Sequence, residues 1–310
     1  LKTIEAMAEA GADAVKVQTY TPDTITLDCD KEYFKIEGTD LWDGQTLYEL
    51  YKKAYTPWDW HEIFQEKAQE CGLKFFSSPF DYSAVDFLQE LNIPIYKIAS
   101  AELIDLPLIE YIASKGKPII MSTGIATLED IENAIKTCHK VGNKDITLLK
   151  CTSSYPAPIE KANLNTIPDM KERFDVKVGL SDHTHGIEVA LASVALGAKV
   201  VEKHFILDRH IESPDAAFSM VPDEFEQMVD GIRKVEKSLG EISYELRPQG
   251  YGRSLFVIKD IQKGEIITKE NIKSIRPGDG MAPENYNEVI GRKAKEKIEK
   301  GTPLTSDIII

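Results

Sequence analysis

The chain has 310 residues, of which 42% are hydrophobic and 28% charged, a composition typical of a globular protein with a sizeable core. Its net charge of −14 argues against nucleic acid or an anionic membrane as a partner. Four widely spaced cysteines without a Cys-x-x-Cys pair argue against a zinc ribbon or a disulfide framework, so we expect a reduced, cytoplasmic setting.

Short apolar or β-branched runs alternate with helical segments through residue 240. We predict seven strands, at residues 14–18, 73–77, 93–98, 118–121, 146–150, 176–180 and 198–202. Continuous apolar strands separated by helices indicate a parallel sheet that is covered on both faces. The count fits a (β/α)8 TIM barrel that lacks one strand. The competing doubly wound sheet normally has a glycine-rich turn after its first strand, and none occurs here.

Helix starts are predicted from capping residues. Thr56 followed by Pro57 is typical of an N-cap with proline at the first helical position. Thr127 and Asp130 have the spacing of a capping box. A last helix before the break in the pattern is predicted over residues 222–239.

The segment that follows the first strand, residues 19–55, is unusually long. Its aromatic side chains include Tyr20, Tyr33, Phe34, Trp42, Tyr48 and Tyr51. Because the segment leaves the carboxyl end of a strand, it falls on the catalytic face of a barrel. A packed surface excursion with its own small core explains the aromatic residues equally well.

Residues 241–250 interrupt the alternation and are predicted to link a barrel domain, residues 1–240, to a small domain, residues 251–310. Within the small domain, the run at residues 261–268 recurs at residues 298–305, each copy with a Lys-Gly turn. This repeat predicts a β-rich domain with pseudo-symmetry and not a further barrel unit.

Functional side chains of a barrel project from the carboxyl ends of its strands. Those ends carry Lys16, Gln18, Ser78, Lys97, Ser100, Glu102, Ser122, Ser153, Tyr155 and Ser181. A lysine inside an apolar strand is costly unless it meets an anion, and hydroxyls suit phosphate and carboxylate oxygens. Two lysines with several serines therefore predict an anion site. A single lysine would instead be explained by an ion pair with a neighbouring glutamate.

Two histidines, His183 and His204, end adjacent strands. Neutral imidazoles at such positions can bind a divalent metal, although a single histidine is more often a hydrogen-bonded core residue. Glu202 precedes His204 by two residues and shares its face. It is a candidate to orient a ligand or to move a proton.

These strand ends resemble the sialic acid synthase family. The matching motifs lie at residues 16–20, 76–80, 96–102, 122–124, 151–156, 179–183 and 202–205. The tail resembles the antifreeze-like SAF (β-clip) domain of that family, with Arg-Pro-Gly-Asp-Gly at residues 276–280. The resemblance implies an enzyme that condenses phosphoenolpyruvate with an open-chain acetamido sugar and releases phosphate.

The resemblance also implies roles for single residues. Phosphoenolpyruvate would be held by Lys16, Ser78, Lys97, Ser100, Ser122, Ser153 and Ser181, with Ser153 standing where relatives that make N-acetylneuraminate often carry Asn. Tyr155 and Asp215 would face the sugar, and Gln18 and Glu102 are further expected substrate-binding residues. Lys97, Tyr155 and Glu202 are expected to act in catalysis, Glu202 by handling protons.

His183 and His204 would bind Mn²⁺ or a similar divalent ion such as Mg²⁺ or Co²⁺. The resemblance further implies a domain-swapped homodimer in which Arg276 of one subunit reaches the sugar in the barrel of the other. No nucleic acid or membrane partner is expected.

One branch of the family matches this chain at additional motifs. Residues 41–44, 47–51, 54–58 and 252–255 resemble the pseudaminic acid synthases. Their acceptor is 2,4-diacetamido-2,4,6-trideoxy-altrose. N-acetylneuraminate and legionaminate synthases are the alternatives, and a catalytically inactive sugar-binding fragment is the alternative of another class. The family's first strand ends in an Ala-Glu-Ile-Gly-Asn-Asn-His-like motif with a catalytic glutamate, which no residue here matches. We therefore expect the barrel to lack that strand in this chain, and full activity to need a longer form.

Overall fold

The computed structural model describes residues 1–36, 44–244 and 250–310. The chain divides into two compact units, Leu1–Gly240 and Glu241–Ile310. Trp42, most of the branch motif at residues 41–44 and half of the predicted linker lie outside the described residues. Within the described ranges, no helix is both long enough and apolar enough to cross a membrane.

The first unit is built on a parallel sheet. Its strands are β1 Ala14–Thr19, β2 Lys74–Pro79, β3 Tyr96–Ile98, β4 Ile119–Ser122, β5 Ile146–Cys151, β6 Lys177–Asp182 and β7 Val201–Lys203. Each strand pairs with its neighbours in chain order, whereas a doubly wound sheet reverses its order part-way. Lys16 on β1 contacts Glu202 on β7, with 2.7 Å between Nζ and Oε1, so the sheet curls until its edges face each other. The predicted barrel-type fold is confirmed, and no ladder joins β7 to β1 in the part of the chain that the structure describes.

Helices connect these strands, and most of them cover the outside of the sheet. They are α1 Lys2–Glu9, α2 Pro22–Ile25, α3 Leu47–Ala54, α4 Trp60–Glu70, α5 Tyr82–Glu90, α6 Leu106–Ser114, α7 Leu128–Lys140, α8 Thr166–Phe174, α9 Glu188–Ala195 and α10 Pro222–Leu239. The main core lies between helices and sheet, where Ile109 and Ile112 of α6 pack in one cluster with Met121 of β4. These buried aliphatic side chains fix the outer face of the strands, so the inner face is free to carry the site.

Capping residues predicted one helix start correctly and one wrongly. Thr127 caps α7 through the expected capping box. The helix predicted to begin after Thr56 begins instead at Trp60. Its first turn is displaced because Trp58 points inward, where the indole donates a hydrogen bond of 3.1 Å to the Tyr20 carbonyl.

The inside of the curled sheet is stacked in two layers. The lower layer is apolar and consists of Ala14, Phe76, Ile95, Ile120, Leu149 and Val200. Two residues further along the chain stand Lys16, Ser78, Lys97, Ser122, Cys151 and Glu202. Because strand side chains alternate with a period of two, both sets point inward. Gly179 completes the lower layer, since a β-carbon there would collide with the Val200 carbonyl.

The second unit is a small β-rich domain. Strands β8 Ser254–Val257 and β9 Ile272–Ile275 pair antiparallel, and a short helix, α11, spans Tyr286–Val289. Ile261 and Ile298, the first residues of the two repeat copies, exchange two backbone hydrogen bonds of 2.9 Å. Both are buried in the core of this unit. The repeat seen in the sequence therefore brings its two copies side by side.

Candidate active site

A cavity of about 890 Å³ lies inside the curled sheet and along its open edge. Most of the predicted site residues line it, namely Lys16, Gln18, Ser78, Lys97, Ser100, Ser122, Tyr155, Ser181, His183, Glu202, His204 and Asp215. Ser153 stands beside the cavity and donates a hydrogen bond of 3.2 Å to Ser100. Glu102 lies in the turn Ala101–Ile104 after β3. Arg276 follows β9 in the second unit.

Two lysines converge on one carboxylate within this cavity. Lys16 Nζ lies 2.7 Å from Glu202 Oε1, and Lys97 Nζ lies 3.9 Å from Glu202 Oε2. Lys97 is buried and also donates to Ser122 Oγ at 2.7 Å. An ion pair with a glutamate therefore accounts for part of the pattern. Because two cations share one carboxylate, positive charge is left over to attract an anion.

Burial and charge set the protonation of this cluster. Burial lowers the pKa of Lys97 to about 8, and attraction to Glu202 limits the effect. Burial acts to raise the pKa of Glu202, but the charges of Lys16 and Lys97 prevail and bring it to about 2. At neutral pH the Glu202 carboxylate is therefore ionised, so it can accept a proton or a hydrogen bond but cannot donate one.

Hydroxyl groups surround the lysines. Ser78 Oγ is buried and has no hydrogen-bond partner among the described residues, and a buried polar atom without a partner is destabilising unless a ligand supplies one. Ser100 and Ser153 stand beside Gly124, where a β-carbon would lie 2.7 Å from Ser100 Oγ and 3.0 Å from Cys151 Sγ. Glycine at position 124 therefore lets these hydroxyls converge, and hydroxyl donors suit phosphate or carboxylate.

The two predicted histidines meet, with ring centroids 5.3 Å apart. Burial lowers the pKa of His183 to about 4, so its ring is neutral at neutral pH. Its Nδ1 lies 3.0 Å from the Thr152 carbonyl. Since a carbonyl only accepts, Nδ1 carries the proton and Nε2 keeps its lone pair. The Nδ1 of His204 lies 3.1 Å from Asp215 Oδ2, which orients that ring in the same way.

This donor set fits a divalent metal ion. Each imidazole has one nitrogen held by a carbonyl or carboxylate and the other available, the arrangement that orients metal-binding histidines. In residues 1–36, 44–244 and 250–310, no group of three or more His, Cys, Asp or Glu side chains could hold a metal. An ion bound by two histidines would therefore take its other ligands from substrate or water, as at catalytic sites with open positions.

Aromatic side chains pack around the histidines. Tyr155 lies 4.3 Å from His183 and 5.0 Å from Phe218, and Phe218 lies 4.9 Å from His204 between ring centroids. Phe218 was not predicted as a site residue, because the loop after β7 has no periodic pattern. Backbone pairing between Phe205 and Met220 returns this loop to the strand end, which no local signal in the sequence indicates.

The long segment after β1 contributes residues to the cavity and also contributes to the protein surface, the two roles considered for it. Tyr20 is 2% exposed and packs edge-to-face on Tyr51 of α3, with centroids 5.5 Å apart. Both side chains line the cavity together with Leu50. Tyr33 is 90% exposed and has no such role. The segment therefore adds an aromatic wall to the site and also forms part of the surface.

Comparison with known proteins places this chain in a family. The NeuB family model matches residues 3–244 and the SAF domain model matches residues 252–309. Pseudaminic acid synthase of Helicobacter pylori is 48% identical, covering 99% of this chain and 92% of its own length. N,N'-diacetyllegionaminic acid synthase of Campylobacter jejuni is 37% identical, covering 96% and 92%.

A solved structure extends the comparison. N-acetylneuraminic acid (sialic acid) synthetase from Leptospira borgpetersenii, in complex with citrate, is 31% identical and has a TM-score of 0.69. The match covers 80% of this chain and 81% of that chain. The resemblance predicted from the strand ends is confirmed. The chain belongs to the NeuB family and carries a SAF domain after its barrel unit.

Proposed function

We propose that this protein condenses phosphoenolpyruvate with 2,4-diacetamido-2,4,6-trideoxy-altrose and water, giving pseudaminic acid and phosphate. The observation that carries the reaction class is a pocket lined by two lysines and several hydroxyls, which shares one cavity with two imidazoles. The identity of 48% to a pseudaminic acid synthase, against 37% to a legionaminic acid synthase, favours this acceptor.

Phosphoenolpyruvate, the donor substrate, is held by the polar layer, which lies above the apolar lower layer. Lys16 and Lys97 bind its phosphate and carboxylate, and the hydroxyls that complete the pocket are Ser78, Ser100, Ser122, Ser153 and Ser181. The chain's net charge of −14 repels a trianion, so the local excess of positive charge is needed to attract it. Because the lysines are already positioned, they stabilise developing charge without reorganising.

The reaction joins C3 of the donor to the aldehyde carbon of the sugar. The electrons come from the C2=C3 double bond, and the aldehyde oxygen takes up a proton to become a hydroxyl. Water then adds at C2, and the new C2 hydroxyl loses its proton as the C–O bond to phosphate breaks, which leaves a keto group at C2. With a pKa of about 8, Lys97 is suited to give a proton to the departing phosphate. Glu202 is ionised and accepts a proton from the attacking water as a weak base.

The acceptor lies at the histidine end of the cavity, where Gln18, Tyr155 and Asp215 bind the sugar. Glu102, in the turn after β3, is a further substrate-binding residue. His183 and His204 would hold the metal through their Nε2 atoms, and we assign the ion as Mn²⁺, with Mg²⁺ or Co²⁺ as alternatives. When bound, such an ion polarises the aldehyde oxygen as a Lewis acid. Asp215 fixes the ring of His204 through Oδ2, and its other carboxylate oxygen faces the sugar.

An assay of phosphate release from the purified protein tests this function. Release is expected only when phosphoenolpyruvate, the altrose acceptor and a divalent metal are all present. Faster turnover of N-acetylmannosamine would show that the acceptor assignment is wrong. Calorimetric sugar binding that needs neither donor nor metal, with no phosphate released, would favour a sugar-binding protein without catalytic activity.

We also propose that two copies assemble so that the SAF domain of one subunit covers the barrel mouth of the other. Exposed apolar side chains that follow β3, β4 and β5 support this: Ile104, Ile125 and Ile159, with Leu128 at the start of α7. Exposed apolar side chains mark an interaction site where they form one contiguous patch. If the protein sediments as a monomer at the concentrations used in the activity assay, that result would argue against the assembly.

Arg276→Ala tests the contribution of the second subunit. Its KM for the acceptor is expected to rise by about 10- to 100-fold, the scale of losing a hydrogen bond from a charged group, because Arg276 contacts the sugar. The KM for phosphoenolpyruvate is expected to stay unchanged. Arg292→Ala, which alters an exposed side chain of the same unit, serves as the control. Equal effects of Arg276→Ala on both substrates would contradict the assignment.

A further inference from the structure

A buried ion pair lies directly behind the two histidines. Lys203 Nζ is 2.7 Å from Asp182 Oδ2, and each side chain is 1% exposed. Asp182 ends β6 and Lys203 ends β7, and the two residues are paired in register. Each is followed at once by a histidine, His183 and His204. The pair therefore joins the two strand ends from which the candidate metal ligands project.

The pair faces away from the polar layer of the cavity. One residue earlier on each strand, Ser181 and Glu202 contact each other inside the sheet at 3.4 Å. Because side chains alternate between faces, Asp182 and Lys203 point outward and the next residues point inward again. A slip of one residue between β6 and β7 would turn one histidine away from the other. An ion pair with a single favoured geometry opposes that slip.

The same pair holds the turn that follows His183. Thr184 donates to Asp182 Oδ1 through its N–H at 2.9 Å and through its hydroxyl at 2.8 Å. The Thr184 carbonyl accepts a hydrogen bond from Lys203 Nζ. Both carboxylate oxygens are thus used, and the backbone on each side of His183 is tied to the ion pair.

Stability alone is a poor explanation for these charges. Two ions removed from water lose solvation, and apolar pairs of similar size often give equal or greater stability in such places. The best-attested use of a buried polar or ionic group is to fix one register or arrangement of the elements that it joins. The ion pair lies behind two candidate metal ligands. This position indicates that the pair specifies the distance between those two histidines.

We propose that Lys203 and Asp182 are positioning residues whose ion pair holds His183 and His204 at the separation that one divalent ion requires. The inference rests on the proposed function, because it takes the two histidines as metal ligands. As positioning residues, Lys203 and Asp182 need no contact with substrate or metal. Both act through the strand ends that they connect.

The double variant Asp182→Leu/Lys203→Met removes both charges without leaving either unpaired. We expect it to fold, with a Tm close to that of the parent, and to bind Mn²⁺ about 10- to 100-fold more weakly in an electron paramagnetic resonance titration. Lys203→Met alone should weaken Mn²⁺ binding at least as much and also lower the Tm, because it leaves Asp182 unpaired. Lys177→Met is the matched control, since it removes a cross-strand pair with Asp145 (2.8 Å) at the exposed end of β6, and its affinity should be unchanged.

Parent-like Mn²⁺ affinity in the folded double variant would overturn the inference while leaving the proposed function intact. Unfolding of both variants without metal, seen by circular dichroism, would also overturn it, because the pair would then hold the fold and not the histidines. A parent protein that binds no Mn²⁺, Mg²⁺ or Co²⁺ would remove the metal assignment and this inference together.

Discussion

Lys97→Met is expected to lower kcat/KM for phosphoenolpyruvate by about 100- to 1,000-fold, the scale of removing one preorganised donor from a buried site. The variant leaves Lys16 facing Glu202 alone, at 2.7 Å, so the cluster loses the positive charge that attracts the donor. Methionine preserves most of the volume, and circular dichroism should show an unchanged fold. Steady-state kinetics with varied phosphoenolpyruvate measure the effect.

A second, half-buried lysine provides the control for this variant. Lys117 precedes β4 at the opposite end of the barrel and donates to the Ile93 carbonyl at 2.7 Å. Burial lowers its pKa as it does that of Lys97. Lys117→Met should leave kcat/KM unchanged. A similar loss in both variants would mean that the fold, and not the donor site, is affected.

Lys97 also sets an expected pH dependence. Burial lowers its pKa to about 8, so it is charged below that pH and neutral above it. The value of kcat/KM for phosphoenolpyruvate should therefore fall as the pH rises through about 8, since the pH dependence of kcat/KM reports the pKa values of groups in the free protein. In Lys97→Arg the cation persists at all accessible pH values, and the alkaline fall should disappear. An identical fall in the variant would assign it to another group.

His204→Ala is expected to lose at least about 100-fold in metal-dependent turnover, because removing a ligand should cost more than removing its outer-shell partner. Asp215 would lose its ring partner, and His183 would remain as the single imidazole. Turnover at increasing Mn²⁺ and the Mn²⁺ content of the dialysed protein measure this loss. His185→Ala, an exposed histidine two residues beyond His183, should behave as the parent. Unchanged turnover in His204→Ala would exclude it from the metal site.

Much of this site follows from the two-residue period of strands. Once Phe76 and Ile120 are taken as interior residues, Ser78 and Ser122 must face the same space one layer higher. That reasoning needs only the strand positions, which continuous apolar runs indicate well. The capping box at Thr127 is predictable for a similar reason, because both of its partners lie within four residues.

Contacts that depend on distant loops were not predictable. The hydrogen bond between Asp215 and His204 forms because the loop after β7 folds back through pairing of Phe205 with Met220. Only the family resemblance predicted that Asp215 lies beside the sugar. Likewise, Tyr51 reaches the cavity because α3 returns to the barrel mouth, and periodicity does not report where an isolated helix packs.

The apolar lower layer beneath Lys16 and Lys97 affects the electrostatic potential that these lysines create in the cavity. Phe76, Ile120 and Leu149 have no dipoles that could reorient to screen a charge above them, so the field of Lys97 is damped less from below than water would damp it. The potential is therefore directed toward the cavity opening. A diffusing trianion should enter with its charged groups leading, which leaves the nucleophilic methylene carbon facing outward. Such an orientation favours ordered binding, with phosphoenolpyruvate seated before the sugar arrives over it.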